Sequence, residues 1–231
     1  MTKNFFERPA VEVARELVGK FLCHRTSLRR RTSKCFMITE TEAYVGPRDK
    51  ASHAHRGRTK RNAPMFGEAG RWYVYFTYGT HWMLNIVTGP KDYPAAVLIR
   101  AAADTPSQNN VFADLAQSRH GGTSREIRQQ ANIRVRKNII MGRLNGPGKL
   151  TKFLKIDKHF NEKPASRAAG LWIAAPSGRA SPRAGGFRIK RAARVGVDYA
   201  QDWAKKKYRF IMENNEKRNF NDRTRKMGAH Q

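Results

Sequence analysis

Acidic residues are scarce in this sequence. Among its 231 residues, 18 are Asp or Glu and 46 are Lys or Arg, which gives a formal net charge of +28 at pH 7. A surplus of this size attracts phosphate polyanions and is hard to explain by solubility alone. Nucleic acid is therefore the partner class that the composition favours, ahead of an anionic membrane or an acidic protein.

Cysteines and long apolar runs are scarce too. Cys23 and Cys35 are the two cysteines, and their spacing is not CxxC, so neither a disulfide framework nor a zinc site is predicted. The reducing interior of a cell is then the expected compartment. The N-terminal segment has no apolar signal-peptide core, and no apolar run approaches the ~18 residues of a membrane span. A soluble, unprocessed protein without a membrane partner is expected.

Several enzyme motifs are also missing. The sequence contains no GxSxG nucleophile elbow and no dinucleotide fingerprint. In "GRLNGPGKL", Leu150 follows Lys149 where a Walker loop has Ser or Thr, so nucleotide binding is not predicted. His53 and His55 form an HxH pair, but no third ligand stands at a recognised spacing. Neither a metal nor a cofactor is therefore expected.

Hydrophobic periodicity and turn residues predict a mixed sequence of helices and strands. A helix is predicted in "RPAVEVARELVGKFL", and a second one after "NGP". An irregular helix is predicted over 109–140 and a surface loop in "PSGRASPRAGG". The predicted strands are "FLCHRTS" and "KCFMITETEAY", joined by a basic turn, then "RWYVYFTYG", "HWMLNIVTG", "AAVLIRAA", "IKRAARVGV" and "KKYRFIM". The run "AAVLIRAA" is so apolar that a central position in the sheet is expected.

The segment "ITETEAYVGP" places carboxylates in a predicted strand. Alternation puts Ile38, Glu40, Glu42 and Tyr44 on one face. A solvated face is the ordinary explanation of such a pattern. However, acids are rare in this chain, and the strand leads into a long segment rich in Gly, His and Arg. A carboxylate on a basic surface is well placed to activate water, so a site is predicted here.

The aromatic strand that follows also has two distinct faces. Its core face is predicted to hold Trp72, Val74 and Phe76, and its other face Tyr73, Tyr75 and Thr77. Tyr75 is a candidate for stacking on a planar ligand, and Tyr78, just before Gly79, for an exposed wedge. Aromatic side chains within a basic surface are typical of base stacking and intercalation.

Taken together, these motifs resemble the alkyladenine (3-methyladenine) DNA glycosylase family from about residue 10 to residue 210. The resemblance is carried by "ITETEAYVGPRDKASHAHRG", "WYVYFTYGTHWMLNIV", "AAVLIRAA", "NGPGKL" and "AARVGV". It implies an α+β fold with a single domain, built on a curved, mostly antiparallel, open-barrel-like β-sheet with surrounding helices and no helix-hairpin-helix. It also implies a glycosylase domain over 1–212. The basic residues 213–231 are then expected to form a disordered tail.

The resemblance further implies a monofunctional DNA glycosylase that starts base excision repair. Such an enzyme flips alkylated or otherwise damaged purines out of duplex DNA and hydrolyses the N-glycosidic bond without metal or cofactor. The expected substrates are 3-methyladenine and, in addition, 7-methylguanine, hypoxanthine or ethenoadenine. A monomer is expected, located in the cytoplasm at the nucleoid in a bacterium or in the nucleus of a eukaryote.

The same resemblance assigns site residues. Glu42 matches the general base that activates water, and Arg100 matches an arginine that helps to hold the water and the DNA backbone. Tyr78 matches the side chain that intercalates in place of the flipped nucleotide, and Glu40 matches no assigned role. The substrate pocket is implied at Tyr44, His53 and Tyr75, with the selectivity asparagine at Asn85.

Two alternatives to a DNA glycosylase stay open from the residues alone. A basic RNA- or DNA-binding protein would explain the charge and would bind without turnover. An O-glycosidase using Glu40 and Glu42 is the other alternative. Side chains at i and i+2 of a strand lie roughly 6–7 Å apart, but both would then lie on the same side of the sugar.

Overall fold

A computed structural model describes residues 1–27, 32–104, 144–176 and 187–214. Its α-helices are α1 (Lys3–Phe6), α2 (Ala10–Leu17) and α3 (Pro147–Phe153), and its 3₁₀ helices are Ala63–Phe66, Lys158–Phe160 and Asp198–Trp203. Its strands are β1 (Phe21–Ser27), β2 (Thr32–Val45), β3 (Trp72–Thr77), β4 (His81–Thr88), β5 (Ala95–Asp104), β6 (Leu171–Ala174), β7 (Phe187–Ala192) and β8 (Arg209–Asn214).

The strands form one eight-stranded sheet with the order β3-β4-β5-β2-β1-β6, in which β8 pairs with both β2 and β7. The strand pairs are antiparallel. Strand β5 lies along one edge of β2, and the other edge is shared by β1 and, further along, by β8. The sheet curls into a half-barrel with a few helices around it, which confirms the predicted single-domain α+β fold.

The first predicted helix is confirmed, although it is shorter than the apolar pattern that indicated it. Helix α2 buries Val13, Ala14 and Leu17 against the sheet. The Thr41 hydroxyl of β2 donates to the Ala14 carbonyl at 2.7 Å, which ties the helix to the strand. After the helix the chain turns at Gly19, whose φ of 87° falls in the left-handed region that favours glycine.

A β-bulge in β2 changes the predicted faces of that strand. Its pairing with β5 shifts register between Ile38 and Glu40 and again between Glu40 and Thr41. Because a bulge adds an unpaired residue, the alternation of side chains is reversed on either side of it. Ile38 therefore packs in the same core cluster as Ala43. The prediction that Ile38 shares a face with Glu40, Glu42 and Tyr44 was wrong, whereas those three residues do lie together.

The central position of β5 is confirmed, because it pairs with β2 on one side and β4 on the other. Residues 95–99 of this strand are buried without interruption. The prediction for the aromatic strand β3 is confirmed in part. Trp72 and Val74 are buried in the main core, but Phe76, assigned to the same face, is exposed near the end of the strand.

The cysteines are paired, contrary to the expectation from their spacing. Cys23 and Cys35 form a disulfide although 12 positions separate them. They are direct partners in the antiparallel register of β1 and β2. The spacing of the two cysteines does not indicate this pair, because the pairing of β1 with β2 brings them together.

Several predictions fall outside the described residues. These concern the tip of the basic turn at 28–31, the irregular helix over 109–140, most of the loop at 177–186 and the tail from residue 215 onward. Strand β8 extends to Asn214, two residues past the predicted domain boundary at 212. Among the helices that the structure describes, none has the length and apolar character needed to cross a membrane.

Candidate active site

A cavity of about 380 Å³ opens beside the β2–β5 part of the sheet. Strands β3, β4 and β5 provide one wall, and the segments that follow β2 and β7 provide the other. The cavity gathers six of the seven residues to which the sequence resemblance assigned a role. These six are Tyr44, His53, Tyr75, Tyr78, Asn85 and Arg100.

The seventh residue, Glu42, is fully buried on β2, next to the cavity without lining it. Its Oε1 atom accepts the backbone N–H of Val195 at 2.8 Å and lies 3.3 Å from Arg100 Nη1. Its Oε2 atom accepts the hydroxyl of Tyr44 at 3.0 Å. Arg100, Tyr44 and Val195 all line the cavity, so the carboxylate contacts three of the groups that shape it.

The environment of Glu42 raises the pKa of its carboxyl group. Burial is the main cause, because the charged form loses its hydration. The charge of Arg100 and the hydrogen bonds from Val195 and Tyr44 act in the opposite direction, while the neighbouring Glu40 adds to the increase. A carboxylate of raised pKa is a stronger base, which is the property required of a group that deprotonates water.

Tyr44 is held from behind by an ion pair that the sequence did not predict. Arg194 makes two hydrogen bonds to Asp49, at 2.6 and 2.8 Å, and both side chains are fully buried. The same guanidinium lies 4.9 Å from the centre of the Tyr44 ring. It also donates to the carbonyls of Ala43 and Trp203. Burial and the charge of Glu42 raise the pKa of Tyr44, so its hydroxyl stays protonated as a donor.

Aromatic rings form the side of the cavity that lies on β3. The Tyr75 ring centre is 4.6 Å from that of His53 and 5.1 Å from that of Tyr73. His53 Nδ1 and the Tyr73 hydroxyl are 3.0 Å apart. Desolvation, assisted by the charge of Arg61, lowers the pKa of His53 and favours the neutral imidazole. This wall therefore presents uncharged, electron-rich rings to a ligand.

Asn85 lies buried on β4 at the same wall. Its side-chain nitrogen donates to the backbone carbonyls of Tyr73 at 3.1 Å and Met83 at 3.4 Å. Because both contacts use the nitrogen, the side-chain oxygen is the atom left to accept a hydrogen bond from a ligand. These contacts to the backbone of β3 and β4 fix the position of the Asn85 side chain.

Tyr78 lies at the tip of the β3–β4 hairpin, and 86% of its surface is exposed. Tyr78 and Gly79 both have positive φ, at 51° and 64°, and the Thr80 N–H donates to the Thr77 carbonyl. This is the conformation of a tight hairpin turn. Tyr199, which the sequence did not predict, also lines the cavity and is 70% exposed. Two tyrosines therefore project at the entrance.

Glu40 lies close to the site without lining the cavity. Its Oε1 atom accepts Arg100 Nε at 2.9 Å and lies 3.5 Å from Arg209 Nη1. Since Arg100 contacts both Glu40 and Glu42, the two carboxylates are on the same side of the cavity. This arrangement argues against the O-glycosidase alternative, in which two carboxylates must flank the bond that is cleaved.

The two histidines of the HxH pair have separate partners. His55 Nδ1 contacts the Pro47 carbonyl at 2.9 Å, whereas His53 belongs to the aromatic wall. Across the described ranges, no three His, Cys, Asp or Glu side chains come together as a possible metal site.

The comparisons with known proteins all point to one family. Residues 4–216 match the family model described as methylpurine-DNA glycosylase. A relative from Desulfitobacterium hafniense is 36% identical over 93% of this chain and 95% of its own. A relative from Psychrobacter cryohalolentis is 38% identical over 86% of this chain and 85% of its own. A relative from Methanocella arvoryzae is 35% identical over 93% of this chain and 92% of its own. The names of all three describe 3-methyladenine DNA glycosylases.

Proposed function

Because the chain belongs to the methylpurine-DNA glycosylase family, and is thus a DNA glycosylase that hydrolyses N-glycosyl bonds, we propose that it excises damaged purines with a water activated by Glu42. The substrates would be 3-methyladenine and other alkylated or deaminated purines in duplex DNA. The protein would act as a monomer and start base excision repair.

The observation that carries this proposal is the position of Glu42 relative to the cavity. The carboxylate is buried and contacts Tyr44 and Arg100, two residues of the cavity wall. A volume of about 380 Å³ is at the small end of ligand pockets, the scale of one base with its sugar. A base seated against the aromatic wall would bring its sugar towards the carboxylate.

The reaction needs few catalytic groups when the base is already cationic. Glu42 would take a proton from water as the water oxygen bonds to C1′ of the deoxyribose. The C1′–N bond then breaks, its electron pair neutralises the cationic base, and the base leaves. General base catalysis of this kind contributes roughly 10²–10⁴ in rate. None of the described residues that line the cavity is a lysine, which agrees with hydrolysis and not with strand cleavage through a Schiff base.

Affinity for a cationic purine would come from the aromatic wall. Tyr44 and Tyr75 line the cavity, and attraction between a desolvated cation and the face of such a ring would be worth on the order of 1–2 kcal/mol. The lowered pKa of His53 removes a positive charge that would repel the ligand. Asn85, fixed on β4, would discriminate between bases through hydrogen bonds to their edges.

Base extrusion is required because the bond to be cleaved is inaccessible within a base stack. Tyr78, exposed at the hairpin tip beside the cavity, would fill the space that the flipped nucleotide leaves. Inserted side chains of this kind offset part of the cost of unstacking.

Single-turnover release of 3-methyladenine and hypoxanthine from duplex DNA, measured for the wild type and Glu42→Gln, tests the proposal. We expect the wild type to release 3-methyladenine and Glu42→Gln to release it at least about 100-fold more slowly. Binding to lesion-containing DNA should persist in the variant, since Gln keeps the shape of the side chain.

Release by Glu42→Gln at the wild-type rate would contradict the assigned base. Binding without release of any base by the wild type would instead support the nucleic-acid-binding alternative. Hypoxanthine is a neutral base, so it tests whether the pocket requires a positive charge on its ligand. Its release would show that cation attraction is dispensable.

A further inference from the structure

Glu40 is the carboxylate of "ETEAY" for which the proposed function has no use. Its side chain is 13% exposed and accepts Arg100 Nε at 2.9 Å. Arg209 from β8 approaches the same carboxylate oxygen at 3.5 Å. A carboxylate with two arginine neighbours at the edge of the cavity is more than a solvated strand residue.

The guanidinium of Arg100 is shared between two acids. Nε is directed at Glu40, and Nη1 lies 3.3 Å from Glu42 Oε1. A guanidinium is planar and rigid, so a hydrogen bond at Nε fixes the direction in which the Nη groups point. Glu40 therefore determines which edge of Arg100 meets Glu42.

Removal of Glu40 would leave Glu42 as the carboxylate partner of Arg100. Arginine and a carboxylate then favour a bidentate pair with two parallel hydrogen bonds. Such a pair would use Glu42 Oε2, which now accepts the Tyr44 hydroxyl. Both oxygens of Glu42 would be engaged by a cation, and the carboxylate would become a weaker base with less access to water.

We propose that Glu40 is a positioning residue, which holds Arg100 between two carboxylates and so keeps Glu42 free to activate water. This inference rests on the proposed function of Glu42. The negative charge of Glu40 acts in the same sense, because it adds to the raised pKa of Glu42, of which burial is the main cause.

Other charged or titratable groups act on Glu42 or lie beside it on the neighbouring strand. They belong to β2, β3, β5, β8 and the segment after β7, and they are Tyr44, Tyr75, Arg100, Arg194 and Arg209. Glu40→Gln retains all five residues and keeps an acceptor for Arg100 Nε, so a shift in its pH dependence can be assigned to the lost charge of Glu40.

The test compares Glu40→Gln and Glu40→Ala by single-turnover release of 3-methyladenine across pH. Glu40→Gln keeps an oxygen that accepts Arg100 Nε but loses the charge. We expect its plateau rate to stay within about threefold of the wild type and its acid limb to move to lower pH. Glu40→Ala frees Arg100, and we expect a loss of about 10–100-fold in the plateau rate, the scale of a misplaced catalytic group.

Lys34→Ala, an exposed position on the same strand, is the matched control and should leave both the rate and the profile unchanged. Equal binding of lesion-containing DNA by all variants separates positioning from affinity. If Glu40→Ala does not fold, Glu40→Met, which has a similar size but no acceptor for Arg100 Nε, takes its place, and the same loss of plateau rate is expected.

An unchanged plateau rate in Glu40→Ala, or in Glu40→Met where Glu40→Ala does not fold, would overturn the inference, while loss of release by Glu42→Gln would leave the proposed function intact. Full activity of Glu42→Gln would overturn both.

Discussion

Asp49 and Arg194 form an ion pair in which both side chains are fully buried. Burial lowers the pKa of Arg194, but the hydrogen bonds and charge of Asp49 outweigh this effect and raise it overall, so the guanidinium stays charged. Asp49 also accepts the backbone N–H groups of Val45 and Ala51. The pair thus joins the loop after β2 to the segment after β7.

Asp49→Asn should strongly destabilise the protein, because it leaves the Arg194 charge buried without its counter-ion. Loss of one partner of a buried pair costs about 3–5 kcal/mol. Urea unfolding measures this free energy. Asp202→Asn is the matched control: its pair with Lys205 is exposed on both sides, so it should cost less than about 1 kcal/mol. Equal midpoints for the two variants would contradict the role given to the buried pair.

The site residues that the sequence could identify lie between positions 42 and 100. Two that it missed lie far from them along the chain. Glu42, Tyr44 and His53 belong to one continuous motif, so their common location follows from a strand and the loop after it. Tyr199 lines the same cavity, and Arg194 packs against Tyr44, from a segment about 150 positions away. No pattern near Glu42 in the sequence indicates that approach, because tertiary pairing produces it.

At the scale of elements, the β3–β4 hairpin is a rigid support for an exposed aromatic tip. Strands β3 and β4 pair in continuous register from Trp72 to Thr77, and the turn follows at once. The aromatic, β-branched and other apolar residues of these segments predicted both strands correctly. The bulge in β2 was not predicted, because the inserted residue changes the register without changing the apolar composition.

Tyr78→Ala should slow the release of 3-methyladenine from duplex DNA by about tenfold or more, because the gap left by the flipped base is no longer filled and unstacking costs a few kcal/mol. Tyr78→Phe keeps the ring and should retain the rate. Single-turnover release from duplex and single-stranded DNA measures the difference. A loss of the same size on single-stranded DNA would argue against a role in flipping.

At the scale of the whole molecule, the net charge of +28 should make DNA binding strongly dependent on salt. Each phosphate contact contributes a slope of about 0.9 in a plot of log affinity against log salt concentration. Deletion of residues 215–231, which contain several Lys and Arg, should flatten this slope and leave single-turnover release at saturating protein unchanged. Fluorescence anisotropy across salt concentrations gives the slope. An unchanged slope would exclude the tail from DNA binding.

The hydrogen bond from Val195 to Glu42 also sets when the site can form during synthesis. The two residues are 153 positions apart, which a ribosome covers in about 8–30 s at roughly 5–20 residues per second. Strand β8, the partner of Glu40–Glu42 on the second edge of β2, emerges later still. A chain cut short after β5 would contain each residue whose role the sequence indicated, and would still lack the groups that complete the site.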